Sequence, residues 1–183
     1  MELLATPISG VMVAETRRIG DHRGVFSRFF CENQLADALG KRHIVQINHS
    51  RTSQVGAVRG MHYQHAPHAE MKMVRCIKGR VWDVAVDLRY GSPTFLQWHA
   101  VELSAGNDWM MVIPEGCAHG FQVLEAESEL LYLHTACYAP ECEGGVRQDD
   151  PLINIRWPLA VTDLSERDQS HPLLNEYFSG VKL

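Results

Sequence analysis

Residues 59–72, RGMHYQHAPHAEMK, bring an arginine, three histidines, a glutamate and a lysine together. Imidazole, carboxylate and ammonium groups this close suit two chemistries. One is metal binding; the other is proton transfer beside a cation that holds developing negative charge. His62, His65 and His68 recur at every third position. A helix would align them, but Pro67 disfavours a helix there. A strand would send them to alternate faces, so the three do not converge on one ion. Ala66, Pro67 and Ala69 make His65 and His68 loop residues. His62 follows Arg59-Gly60 at the start of a short strand-like run. A lone histidine at such a place is more often a hydrogen-bonded core residue than a functional one.

These side chains need a frame, and the chain around them is patterned for strands. Ile44–Ser50 alternates apolar and polar with period two. Val11–Ala14 is a short apolar run, and Gly24–Phe30 is aromatic and β-prone. Met73–Ile77, the turn signal Lys78-Gly79-Arg80 and Val81–Leu88 read as a hairpin. Phe95–Leu103 alternates again; Trp109–Ile113, Phe121–Leu124 and Leu130–His134 complete the series. Short strands at about ten-residue spacing, with Gly, Pro and Asn between them, predict an all-β sandwich or barrel. Glu32–Leu39, closed by Gly40, predicts one short helix, and Ser165–Asp168 a single turn. With no repeat, low-complexity tract or linker, residues 1–183 read as a single domain with a C-terminal extension from about 160.

The totals narrow the partners. Of the 183 residues, 45% are hydrophobic and 21% charged, with a formal net charge of -5. No global basic field points to nucleic acid, although a few local arginines suffice for a small anion. The five cysteines form no CxxC pair, which fits a reducing cytosol. The N-terminus MELLATPISGVMV lacks a basic region, and no apolar run approaches the ~18 residues of a membrane span. The expected location is cytoplasmic.

Jelly-roll proteins called cupins hold metal through an H-x-H pair, a following Glu and a later His. Here His62-Tyr63-Gln64 lacks the second histidine, while Pro114-Glu115-Gly116-Cys117-Ala118-His119 matches P-x-G-x-x-H. The fold signal is present and the metal set is incomplete. The assembled residues resemble the dTDP-4-dehydrorhamnose 3,5-epimerase family. The motifs are Asp21-His22-Arg23-Gly24-Val25-Phe26, Val45-Gln46-Ile47-Asn48-His49-Ser50, Arg59-Gly60-Met61-His62-Tyr63-Gln64 and Lys72-Met73-Val74-Arg75. They continue with Asp83–Arg89, Ser92–Phe95, Ile113–Phe121, Leu131-Tyr132, Tyr138–Glu141, Asp150-Pro151, Ile155–Pro158 and Leu164–Asp168. Together they run from about residue 8 to 172. The resemblance implies a cupin-like jelly roll with a few short helices, a homodimer, and neither metal nor organic cofactor.

It also implies a nucleotide-linked 4-keto-6-deoxy sugar as substrate, carried on dTDP. The ketone acidifies the hydrogens on C3 and C5. Epimerisation removes a proton from one face and returns one to the other through an enolate, so the site needs a base, an oxyanion stabiliser and an opposing acid. By resemblance His62 is the base and Asp168 the carboxylate that fixes its tautomer. Lys72 is the cation near O4, with His119 a donor beside it. Tyr132 is the opposing acid, since a phenol of pKa ~10 is protonated at neutral pH. Arg59 and Arg23 match positions that meet the diphosphate or nucleotide, where a planar fork can donate two bonds. Gln46 and Asn48 match polar contacts from one strand face, Tyr138 the ring stacked on the pyrimidine, and Glu143 a further polar contact. Arg23 and its neighbours reach the partner's site in the family.

One departure touches specificity. Arg28 stands where the family carries a Glu that meets the base. A carboxylate accepts thymine N3–H; arginine only donates and would suit an acceptor such as cytosine N3. Alternatively Arg28 faces solvent. Ile47 replaces a common Asp, and Arg167 a common Lys. Other readings are an epimerase acting at C3 or C5 only, one for another nucleotide sugar, a silent sugar-nucleotide-binding cupin, and a metal-dependent cupin dioxygenase.

Overall fold

Apolar positions recurring at every second residue form strands, because successive side chains of a strand point to opposite faces. The computed structural model describes residues 1–183. Its strands are β1 (Glu2–Ala5), β2 (Met12–Glu15), β3 (Ile19–Asp21), β4 (Gly24–Phe26), β5 (Gln46–Thr52), β6 (Val58–Gln64), β7 (Lys72–Lys78), β8 (Arg80–Asp87), β9 (Trp98–Ser104), β10 (Met110–Ile113), β11 (Cys117–Val123), β12 (Ser128–His134) and β13 (Glu143–Gly145). One sheet runs β1-β2-β10-β7-β12-β5 and the other β13-β6-β11-β8-β9, while β3 and β4 form a separate ribbon. All strand pairs are antiparallel. From β5 onward the chain crosses between the sheets at every connection except β8–β9. This is the all-β, cupin-like jelly roll that the strand spacing and motifs predict.

That crossing corrects one expectation. The turn at Lys78-Gly79-Arg80 does not close a hairpin: β7 pairs with β10 and β12, and β8 with β11 and β9. The chain changes sheets at Gly79, whose φ of +74 and close approach to Ser128 leave no room for a side chain. Locally the turn looks the same in either case. The deciding factor is the core, where Val74 and Cys76 of β7 and Val81 and Ala85 of β8 join one apolar cluster between the sheets.

Three apolar layers hold the sheets. Between them lie Val74, Cys76, Met111, Ile113 and Leu130 from the first sheet and Val81, Ala85, Leu103, Phe121 and Val123 from the second. Burying each such side chain stabilises by about 1.5–3 kcal/mol for the larger ones. The first sheet's outer face is covered by Leu35, Ala38 and Leu39. Here the predicted helix is broken: Glu32–Gln34 is a 3-10 turn and only Ala36–Leu39 is α-helical (α1). The second sheet's outer face is covered by Ile153, Ile155, Trp157, Leu174, Phe178 and Val181 from the C-terminal segment.

The same inward rows turn polar at the other end of the sandwich. Even-numbered residues of β7 and β12 pass from Cys76, Val74 and Leu130 to Lys72, Tyr132 and His134. Those of β5 are Gln46, Asn48, Ser50 and Thr52, and the polar end also holds His119 and His62 of the second sheet. The segment after Trp157 returns along this end: Val58 N–H donates to Asp163 O at 2.9 Å, and α2 (Glu166–Ser170) follows. Ser165 caps α2 by accepting the Asp168 N–H at 3.1 Å, which sets Asp168 at the cleft.

Candidate active site

A cleft of about 810 Å3 opens between the sheets at their polar end. His62, Lys72, Tyr132, Asp168, Asn48, Arg59, His119, Tyr138 and Glu143 all line it. Gln46 stands just behind, donating to Asn48 Oδ1 at 3.2 Å. Arg23 and Arg28 lie outside, on or next to the β3–β4 ribbon, both exposed; Arg23 pairs with Asp21 at 2.6 Å.

His62 sits on β6 directly opposite His119 of β11. The strands meet closely at a glycine pair: Gly60 has φ +124, and a Cβ there would lie 2.6 Å from Gly120 Cα. Asp168 reaches into this corner. Its Oδ1 lies 2.7 Å from His62 Nε2, and its Oδ2 accepts the Gly60 N–H at 3.0 Å. Burial pushes the Asp168 carboxyl up, but the His62 and Gly60 hydrogen bonds and the His62 charge outweigh it and hold the carboxyl well below its usual range. An ionised Asp168 only accepts, so its 2.7 Å contact, closer than the 3.1 Å approach of Arg167 Nη2, puts a proton on His62 Nε2 and leaves Nδ1 as the uncommitted ring nitrogen. Arg167 closes over this pair: Nη2 lies 3.1 Å from Nε2, and Nη1 binds Glu143 at 3.0 Å.

Tyr132 faces His62 from the other sheet. Burial pushes its phenol up, only partly offset by the hydrogen bond with Ser50 Oγ at 2.9 Å. Its ring meets His119 edge-on at 6.1 Å between centroids and stacks beside His134 at 6.2 Å. Lys72 Nζ lies 3.1 Å from Glu70 Oε1, with both side chains buried. Arg59 Nε donates to Thr52 Oγ1 at 2.9 Å. Tyr138, 53% exposed at the mouth, donates its hydroxyl to Glu143 at 3.1 Å.

Two further carboxylate–histidine pairs complete the walls: His119 Nε2 with Asp83 Oδ1 and His134 Nδ1 with Glu70 Oε2, each at 2.7 Å. Burial pushes the Asp83 carboxyl up despite His119. The sequence pattern assigns no site role to Asp83, Glu70 or His134. Strand parity held the signal: Asp83 shares the face of Val81 and Ala85, and His134 that of Tyr132, so each puts a polar group on an inward row.

Gln64 stands where a cupin metal site has its second histidine, and its amide is already committed. It donates to His68 O at 2.9 Å and Cys137 O at 3.3 Å, and accepts the Ala139 N–H at 2.7 Å. His62, Asp168 and His171 have ligand atoms within 4.8 Å of one another. The Arg167 guanidinium stands 3.1 Å from His62 Nε2 and 3.5 Å from Asp168 Oδ1, a positive charge beside two of these three groups.

This arrangement can take a proton from one side of a bound carbon acid and supply one from the other. Residues 5–176 match the family model described as dTDP-4-dehydrorhamnose 3,5-epimerase. The chain belongs to that family. Among its relatives, the dTDP-4-dehydrorhamnose 3,5-epimerase of Sinorhizobium fredii is 44% identical over 92% of this chain and 87% of its own. The family's fold is closely kept. The Legionella pneumophila dTDP-6-deoxy-D-glucose-3,5-epimerase, solved with dTDP-4-keto-L-rhamnose, superposes with TM-score 0.90 at 40% identity, covering 96% of this chain and 94% of that one. The family also holds a 3'-monoepimerase from Streptomyces bikiniensis, solved with dTDP-quinovose: TM-score 0.86, 32% identity, 92% of this chain and 86% of that one.

Proposed function

We propose that this protein epimerises C3 and C5 of a dTDP-linked 4-keto-6-deoxyhexose, the step used in dTDP-L-rhamnose biosynthesis. The observation that carries this is the placement of the His62–Asp168 pair and Tyr132 on opposite walls of one cleft. Family membership supports the substrate class.

His62 Nδ1 takes the proton from C3 or C5, and Asp168 stabilises the imidazolium that results. Electron density moves onto O4, where the Lys72 ammonium and His119 meet the enolate oxygen. Tyr132 then returns a proton to the opposite face; its phenolate regains a proton from solvent while the His62 imidazolium releases one, which restores both groups. High phenol pKa suits this order, because Tyr132 holds its proton until a carbanion-like centre is present. No step calls on a metal or organic cofactor.

Arg59, Asn48, Gln46, Glu143 and Tyr138 bind the nucleotide end, with the half-exposed Tyr138 ring free to stack on the base. Arg23 and Arg28 act on a second copy. Ile19, Val25 and Phe26 of the ribbon are 65%, 62% and 68% exposed, an apolar surface that a homodimer would cover. Residues 1–183 act as one unit, since the C-terminal segment supplies Asp168. No helix is long and apolar enough to cross a membrane, and all five cysteines are unpaired, which fits a cytoplasmic place. Nucleic acid and membrane are not partners.

A coupled assay tests the reading. Purified protein, dTDP-4-keto-6-deoxyglucose and a reductase specific for the L-configured ketone should yield dTDP-L-rhamnose. Product altered at C3 alone would instead make this a monoepimerase.

A further inference from the structure

A hydrogen-bond chain of fixed direction runs from the cleft mouth to Lys72. It begins at a backbone amide, which can only donate: Tyr138 N–H to Gln46 Oε1, 3.0 Å. That turns Gln46 Nε2 to Asn48 Oδ1 at 3.2 Å, and so presents Asn48 Nδ2 to His134 Nε2 at 3.4 Å. Facing a donor, His134 Nε2 must accept, which leaves the ring proton on Nδ1. Nδ1–H donates to Glu70 Oε2 at 2.7 Å, and the other Glu70 oxygen meets Lys72 Nζ at 3.1 Å. Glu70, His134 and Lys72 are 8%, 9% and 6% exposed, so water has little room to replace these partners. Burial pushes the Glu70 carboxyl up, but His134 and Lys72 outweigh it and keep it below the usual range, hence an acceptor on both sides.

We propose that Glu70 and His134 are positioning residues for Lys72, with His134 locked as its Nδ1–H tautomer by the Gln46–Asn48 pair. The inference rests on the reading of Lys72 as the group at the sugar's O4. A lysine stem is flexible, and an oxyanion stabiliser lowers the barrier only where it already stands when charge develops. Glu70 fixes the ammonium. The His134 N–H takes up part of the Glu70 charge, so that Lys72 is held without being wholly neutralised. The chain's first donor is the amide of Tyr138, so seating of the nucleotide against that ring is transmitted to the sugar end of the cleft.

The test compares His134→Leu, His134→Asn and Glu70→Gln with the wild type. Asparagine can place an N–H where Nδ1–H was; leucine cannot. His134→Leu and Glu70→Gln should each lower kcat for hydrogen exchange at C3 and C5 by about tenfold or more, with KM changed by less than about threefold. His134→Asn should recover most of the rate lost in His134→Leu. Wild-type rates in His134→Leu and Glu70→Gln would overturn the proposal, as would His134→Asn as slow as His134→Leu. Nitrogen-15 NMR of the wild-type imidazoles supplies a check that needs neither folding of a variant nor activity. A neutral His134 protonated at Nδ1 is expected; protonation at Nε2 would overturn the inference. A wild type that exchanges no hydrogen would count against the proposed function, and the tautomer measurement would still decide this one.

Discussion

His62 Nε2 stands 2.7 Å from Asp168 Oδ1, joining residues 106 apart in the chain. The bond places the imidazole proton on Nε2 and leaves Nδ1 uncommitted, the nitrogen to which the proposed function assigns the role of base. In Asp168→Asn the amide can present N–H to Nε2, which moves the ring proton to Nδ1 and blocks the base. Asp168→Asn should therefore lower kcat by about 100-fold or more, and His62→Ala should abolish exchange at both carbons. Rates of deuterium uptake read both effects. An Asp168→Asn enzyme within a few-fold of wild type would remove Asp168 from the mechanism.

Tyr132→Phe should separate the two half-reactions. Abstraction by His62 survives, while protonation from the opposite wall fails. Net epimerisation should fall by about 100-fold or more, and exchange with solvent deuterium by much less. Equal losses in the two assays would show that Tyr132 has no separate acid role.

Acid should erode a defined part of the stability. Asp168 ordinarily titrates near 3.8 and is held lower in the folded protein. Below 3.8 the unfolded chain binds this proton more readily than the folded one, so the contribution is full above that pH and shrinks as pH falls toward the folded value. The Tm difference between wild type and Asp168→Asn should be constant near neutrality and narrow below about pH 4. A gap that widens on acidification would contradict the ionised, hydrogen-bonded state of Asp168.

The exposed apolar ribbon predicts the assembly. Light scattering should give the mass of a dimer, and Val25→Asp with Phe26→Asp should give monomers with a raised KM, because Arg23 and Arg28 would no longer reach a partner's cleft. Arg28→Glu should raise the affinity for thymidine diphosphate relative to cytidine diphosphate, because a carboxylate accepts thymine N3–H and an arginine does not. An unchanged ratio would place Arg28 in solvent.

The repeating two-residue pattern was enough to read most strands and the jelly roll, because half-buried strands impose it on the sequence. The sheet change at Gly79 was not legible: a Lys-Gly-Arg turn looks alike whether its flanking strands pair or part, and the choice is made by the core cluster between the sheets to which Val74 and Ala85 both belong. The broken helix at Leu35 was hidden for the same reason, since packing against Met73 and Leu133 overrides a short run's helical preference. In the site, motif order identified residues that do line one cleft, from Asn48 to Asp168. Asp83, Glu70 and His134 escaped because a buried acid announces itself only through its partner. Those partners lie 36 and 64 residues away, on other strands.

The most direct test is hydrogen exchange in D2O with dTDP-4-keto-6-deoxyglucose, following C3-H and C5-H by proton NMR. Deuterium should enter both carbons at rates that depend on His62, and the L-configured ketone should accumulate. Retention of both protons under conditions where another family member exchanges them would contradict the proposed epimerase activity.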